Sequence, residues 1–115
     1  MDMLYYIYIG SNRVTIDHLS KITGGMFMAV SSCNKAAKVI DGIRERYNTS
    51  ILYEESTPQK DSQNITFLHK RFPRVYIILI TEGLQKEHRK LYLQAGVNNT
   101  LSPMASEESL LQMVK

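Results

Sequence analysis

Four polar side chains stand just after apolar stretches of the sequence and could do chemistry together. Glu54 and Glu55 follow residues 51–53, Thr81 follows residues 75–80, and Ser11 comes two positions after residues 4–9. If these stretches are parallel strands, their carboxyl ends meet at one edge of a sheet, which is where open α/β sheets bind ligands. The set contains no combination of nucleophile, base and orienting group, so it suggests a small-ligand site and no enzymatic activity.

Composition is typical of one soluble domain and restricts the remaining possibilities. The 115 residues are 43% apolar and 22% charged, which argues against a disordered or membrane protein. Residues 4–9 are too short to span a bilayer and follow Asp2 rather than basic residues, so we expect a cytoplasmic protein. The single Cys33 excludes an internal disulfide and cannot by itself build a zinc site.

The net charge of +3 comes from basic residues scattered along the chain. That distribution favours solvated helix faces over a nucleic-acid patch, so nucleic-acid binding is a minor alternative, and a steep salt dependence would be its signature.

Strand and helix patterns alternate five times. Strands are predicted at 4–9, 26–30, 51–53, 75–80 and 97–101, and the runs between them show helical periodicity. Right-handed crossovers then favour a five-stranded parallel sheet of order 2-1-3-4-5, covered by helices on both faces in a flavodoxin-like three-layer (βα)5 sandwich.

Local signals predict how the helices begin, end and face. Ser31 or Ser32 can cap the second helix, which is expected to end at residues 47–48. Residues 59–63 are predicted to be a loop before the third helix, which Pro73 stops.

The fourth helix is expected to bury Leu84, His88, Leu91 and Ala95, to place Tyr92 outside and to stop at Gly96. A last helix begins at Ser106 and carries Leu110, Leu111 and Val114. Because the chain ends inside that helix, we expect residues 1–115 to be a single domain forming the N-terminal part of a longer protein.

Over essentially its whole length the chain resembles the receiver domain of two-component response regulators. The resemblance rests on Glu54 with Pro58 four residues later, on the run 77–81 followed by a helix ending in Gln94-Ala-Gly96, and on Leu101-Ser-Pro103 with residues 107–111 after it. In that family, a magnesium ion bound by an acidic pair and an aspartate assists phosphorylation of that aspartate, and a threonine or serine and a lysine contact the phosphoryl oxygens.

Most of those functional residues are replaced here. The resemblance places the acidic pair at Gly10 and Ser11, the phosphoacceptor at Glu54, the hydroxyl at Thr81 and the lysine at Ser102. Only Thr81 matches. Without the carboxylate pair, magnesium binding is expected to be lost and no other cofactor is indicated.

The region after the fourth helix also departs from the family. Pro103 is kept, so a cis peptide before it is expected. The segment 95–103 is one residue shorter than usual, and neither Asn99 nor Thr100 is the aromatic residue of the family's fifth strand.

The function implied is that of a pseudo-receiver, a phosphorylation-independent regulatory domain of a larger bacterial signalling or effector protein. An attached output domain would be DNA-binding or an enzyme such as a sugar transferase. The resemblance implies a protein partner or self-association, for example as a dimer, through helix 4, strand 5 and helix 5, with Lys90, Tyr92, Met104 and Glu108 at the interface.

Several alternatives stay open at this stage. Glu54 could imitate a phosphorylated state, be a solvated strand-end residue, or act as a weak phosphoacceptor. Thr81 could simply cap a turn. Cys33 could have a lowered pKa at a helix start, although an inert thiol is the simpler expectation.

Overall fold

The computed structural model describes residues 3–113, which form five strands and five helices in strict alternation. The strands are β1 (Met3–Ile9), β2 (Phe27–Val30), β3 (Tyr47–Glu54), β4 (Tyr76–Ile80) and β5 (Asn99–Leu101). The helices are α1 (Arg13–Ile22), α2 (Cys33–Ile43), α3 (Pro58–Arg71), α4 (Lys86–Ala95) and α5 (Glu107–Met113). None of these helices has the length and apolar character needed to cross a membrane.

All five strands are parallel and lie in the order β2-β1-β3-β4-β5, so the predicted topology is confirmed. β1 and β3 pair over seven positions, from Met3 with Tyr47 to Ile9 with Tyr53. This register places Gly10 and Ser11 beside the carboxyl end of β3, where Glu54 lies.

Two apolar cores cover the two faces of the sheet because successive side chains of a strand point to opposite sides. One core joins Ile7, Ile51 and Ile77 to apolar residues of α2, α3 and α4. The other joins Tyr8, Leu52 and Ile78 to residues of α1 and α5. Glu54 has the same parity as Leu52, so its side chain starts on the α1 side of the sheet.

Several boundaries differ from the prediction, most clearly at the end of α2 and the start of α3. Helix α2 ends at Ile43 and residues 47–48 already belong to β3, where β1 pairs with them. Residues 59–63 are helical rather than a loop, because Pro58 occupies the first turn of α3, a position at which proline's missing N–H costs nothing. Ser32 does cap α2, accepting a hydrogen bond from the Lys35 amide at 3.2 Å.

The last third of the chain holds further corrections. Tyr92 is fully buried, because it follows His88 by four residues and precedes Ala95 by three, on the inner face of α4. Helix α4 stops at Gly96, where a Cβ would come within 2.7 Å of the His69 side chain. In α5 only Leu110 is buried and Leu111 is 47% exposed.

Three other predictions concern the chain near β5 and its end. No cis peptide bond occurs within residues 3–113, so the bond before Pro103 is trans. The predicted strand 97–101 is shorter than expected and begins at Asn99. Val114 lies outside the described residues.

Candidate functional site

The Glu54 carboxylate is the centre of the site and is held by three donors. The Tyr8 hydroxyl donates to Oε1 at 2.5 Å, the Asn12 amide donates to the same oxygen at 2.9 Å, and the Ser11 amide donates to Oε2 at 3.3 Å. Charge-assisted hydrogen bonds of this kind are stronger than neutral ones. The acid at the end of β3 is thus tied to β1 and to the start of α1.

The start of α1 explains why a carboxylate is favourable here. Asn12 is the N-cap, and its side chain accepts from the Thr15 amide at 3.2 Å. The first turn of α1 contains no acidic residue, so Glu54 of β3 supplies the negative charge that a helix N-terminus favours.

Two tyrosines of β1 give a matched test of this contact. Tyr8→Phe is expected to reduce the free energy of unfolding by about 1.5–3 kcal/mol, because a hydrogen bond to a charged group is lost. Tyr6 lies on the same side of the sheet and its buried hydroxyl has no partner among residues 3–113, so Tyr6→Phe is expected to be neutral or stabilising. Urea denaturation of both variants checks this, and equal losses would contradict it.

Gly10 has no side chain, and this leaves room for the side chain of Glu54. A Cβ at Gly10 would lie 2.6 Å from both Cβ and Cδ of Glu54 and 2.7 Å from Oε1. Side chains do not approach so closely, so the glycine leaves the space that the glutamate fills. Glu54 in its present position is incompatible with a carboxylate side chain at position 10.

Thr81 contacts Glu55 rather than Glu54. Its hydroxyl donates to Glu55 Oε1 at 2.6 Å and accepts from the Gly83 amide at 3.2 Å. Thr81 therefore accepts a hydrogen bond from a turn amide and also donates one to an acid. Ser102 makes a local turn, accepting from the Met104 amide at 3.2 Å, with Pro103 half-buried between them.

The residues at this edge do not fit a magnesium ion. Gly10 and Ser11 supply no carboxylates, and the Glu54 oxygens face two amide N–H groups and a hydroxyl. A hard cation requires several oxygen ligands. Among residues 3–113, no three His, Cys, Asp or Glu side chains lie together in a way that could hold a metal ion.

A cleft of about 410 Å³ opens beside Glu54, on the side of the sheet that carries α2 and α3. Of the four residues predicted to form a small-ligand site, only Glu54 lines it. Ser11 joins Glu54 through its amide, whereas Glu55 and Thr81 pair with each other. The sequence-based set is therefore split into two pairs.

A second acid, Asp61 of α3, was not anticipated. It is 1% exposed and accepts three hydrogen bonds: from the Tyr92 hydroxyl at 2.8 Å, the Ser56 amide at 2.7 Å and the Tyr53 hydroxyl at 3.1 Å. Asn64 donates to the Tyr53 oxygen at 2.9 Å. This Asp61 network joins β3, α3 and α4 at the carboxyl edge of the sheet.

The groups around Asp61 are held in their neutral forms. Burial, together with the Asp61 carboxylate, raises the pKa of Tyr92 and of Tyr53 well above the usual value for tyrosine. Burial, with a smaller contribution from Asp61, raises the pKa of the Cys33 thiol to about 11. The alternative of a lowered thiol pKa is thus wrong, and Cys33 is half-buried and protonated at neutral pH.

The predicted interface residues divide into two groups. Lys90, Met104 and Glu108 are exposed, Met104 by 58%, but Tyr92 is buried and cannot contact a partner. Leu93 of α4 is 57% exposed and was missed, as was the exposure of Leu111. A cleft of about 380 Å³ lies between α4 and β5, lined by Leu93 and residues 97–100 among others.

Comparison with known proteins identifies the fold. No protein-family model and no curated protein matches the sequence. Among solved structures, a CheY-like protein, tadZ, from Pseudomonas aeruginosa PAO1 is similar over 98% of this chain and 91% of its own, with a TM-score of 0.76 at 13% identity. The fold is that of the CheY-like receiver domain.

Two further structures share the receiver fold. The signal receiver domain of an HD domain-containing protein from Pseudomonas fluorescens Pf-5 has a TM-score of 0.76 at 15% identity, covering 97% of this chain and 84% of that one. An atypical orphan response regulator, described as having a phosphorylation-independent regulatory mechanism, has a TM-score of 0.73 at 13% identity, covering 97% and 92%.

Proposed function

We propose that the domain is a pseudo-receiver, a regulatory domain that acts through protein contacts without being phosphorylated. The observation that carries the proposal is the fixed position of Glu54. Both oxygens of its carboxylate accept hydrogen bonds from β1 or the start of α1, and its side chain occupies the space that a Cβ at Gly10 would need. A carboxylate whose two oxygens already accept hydrogen bonds from the surrounding fold is a poor phosphoacceptor. Loss of the acidic pair also removes the cation that phosphoryl transfer requires.

The pairing of Thr81 with Glu55 suggests which acid imitates the phosphorylated state. In receivers the threonine contacts the phosphoryl oxygens, and here its hydroxyl already contacts a carboxylate oxygen at 2.6 Å. A fixed negative group at this point would hold Thr81 as a phosphoryl group does. Glu55, rather than Glu54, is therefore the residue assigned to that role.

The surface through which the domain acts is assigned to α4, β5 and α5. Large apolar side chains are exposed on both helices and on the connection between β5 and α5, namely Leu93, Leu111 and Met104. Lys90 and Glu108 supply charges around them. Apolar residues within a polar rim are typical of protein interfaces. We therefore assign to this surface the binding of a second copy of the domain or of a partner protein, in the cytoplasm.

Sedimentation velocity tests this assignment. Leu93→Glu is expected to weaken self-association at least about tenfold, because a charge would be buried in the contact. Val14→Glu, at a position of α1 that is 67% exposed, is the matched control and is expected to change nothing. A monomer at all concentrations would contradict self-association, and a dimer that forms only with acetyl phosphate and Mg²⁺ would contradict phosphorylation independence.

A further inference from the structure

Strand β2 forms one edge of the sheet and has β1 as its only neighbour among the described strands. Of its four residues, Met28 is 40% exposed and Ala29 is also exposed, whereas Phe27 and Val30 are half-buried. Met28 points to the same side of the sheet as Val30, which packs on the α2 side, and Ala29 points to the α1 side with Phe27. The exposure of both residues shows that neither flanking helix covers this edge fully.

The backbone groups on the outer side of β2 are available for hydrogen bonding. The even-numbered residues bond to β1, since the carbonyls of Met26 and Val30 accept from β1 and Gly10 amides at 2.9 and 3.0 Å. In a parallel ladder, the residues between these point their N–H and C=O groups away from the neighbouring strand. Phe27 and Ala29 thus present two donors and two acceptors at the open edge.

Strand β2 lacks the features that usually prevent an edge strand from pairing, which are a charged residue, a proline or a bulge. Residues 27–30 contain neither charge nor proline, and their register with β1 is continuous over all four positions, so no bulge interrupts them. At the other edge, β5 is only three residues long, and the Asn99 side chain accepts from the Thr100 amide at 2.9 Å. The β2 edge is therefore the more open of the two to a further strand.

A second copy of β2 fits this edge because the strand is complementary to itself. In an antiparallel pair centred on Met28, Phe27 of each copy lies opposite Ala29 of the other, and each such pair exchanges both of its N–H···O=C bonds. All the outward groups of β2 are then used within the strand. A pair centred on Ala29 would instead place Phe27 opposite Ser31, beyond the end of the strand. Because residues 27–30 are uncharged, the pairing brings no like charges together within the strands.

We propose that β2 is a self-association edge, at which two copies of the domain pair antiparallel about Met28 and join their sheets into one continuous sheet. This edge lies opposite β5, so the contact is separate from the surface of α4, β5 and α5 and does not rest on the proposed function. A strand of four residues makes a small contact, so the association is expected to be weak, and covalent trapping is the sensitive way to detect it.

Cysteine crosslinking tests the proposal in the 115-residue chain carrying Leu93→Glu, which weakens any contact through α4, and Cys33→Ala, which removes the native thiol. Met28→Cys is expected to form a disulfide-linked dimer under mild oxidation, because the two Cα atoms of this non-hydrogen-bonded pair would lie about 4.5 Å apart. Ala29→Cys is the matched control at the next exposed position. Its counterpart in the other copy would lie about 8 Å away, so it should crosslink at least about tenfold more slowly.

A proline substitution separates pairing at the edge from folding of the domain. Ala29→Pro removes an N–H group that points away from β1 and leaves the bonds between the two strands intact, so the variant is expected to fold. Added to Met28→Cys, it should slow crosslinking at least about fivefold, whereas Ala29→Ser, which keeps the N–H, should leave the rate unchanged. Absence of a dimer with Met28→Cys, equally fast crosslinking of Ala29→Cys, or a rate unaffected by Ala29→Pro would each overturn the proposal.

Discussion

Replacing Asp61 with alanine is expected to lower the free energy of unfolding by about 3–5 kcal/mol. The carboxylate is 1% exposed and accepts from the Tyr92 hydroxyl, the Tyr53 hydroxyl and the Ser56 amide. Alanine removes the acceptor for all three donors at once. Each buried donor left without a partner costs about 1–3 kcal/mol, and water in the vacated space recovers only part of this.

Two comparisons separate this effect from a general loss of charge. Asp17→Ala, at an exposed position of α1, is expected to change stability by less than about 0.5 kcal/mol. Adding Tyr92→Phe to Asp61→Ala should cost less than the sum of the two single changes, because the unpaired hydroxyl is removed together with its acceptor. Urea denaturation measures the original protein and all four variants. A loss below about 1 kcal/mol for Asp61→Ala would show that the network contributes little.

The second large effect is expected at Gly10. Gly10→Ala should destabilise the domain by about 1–3 kcal/mol, because the new Cβ would lie 2.6 Å from Glu54 Cβ and Cδ and neighbouring strands would have to separate. Gly42→Ala provides the contrast: it lies in α2 with nothing within 4 Å of the added Cβ, and it should stabilise the helix by about 0.5–1 kcal/mol.

A double-mutant cycle with Glu54→Gly tests the cause. Glycine at position 54 removes the three nearest atoms that the new Cβ would meet, so Gly10→Ala should cost at least about 1 kcal/mol less in that background. Any cost of the alanine that arises from the backbone conformation of residue 10 is common to both backgrounds and cancels. Equal costs would show that Gly10 is not there to accommodate Glu54.

The sheet and its order could be predicted because strand and helix patterns alternate and right-handed crossovers leave few topologies. Helix boundaries are harder to predict than strand order where one residue type is compatible with two local structures. Pro58 belongs to the segment after the third strand on which the family resemblance rests, and it occupies the first turn of α3. The polar residues after it therefore looked like a loop and concealed the helical spacing of Asp61 with Ile65 and Leu68.

Tyr92 shows the same limit within the site. Its spacing from His88 and Ala95 places it on the inner face of α4, but Leu91 offered a competing apolar face, and a tyrosine can lie on either. Only the position of Asp61 decides between them, because a buried hydroxyl needs a partner. The contacts of Glu54 were equally hidden, since they depend on the path of the chain between β1 and α1.

The most direct test of the pseudo-receiver account is intact-mass spectrometry after incubation with acetyl phosphate and Mg²⁺, with Glu54→Gln treated in parallel. The committed hydrogen bonds of Glu54 and the missing acidic pair predict that neither protein gains the mass of a phosphoryl group. A stoichiometric phosphoryl adduct on the original protein that is absent from Glu54→Gln would contradict the account.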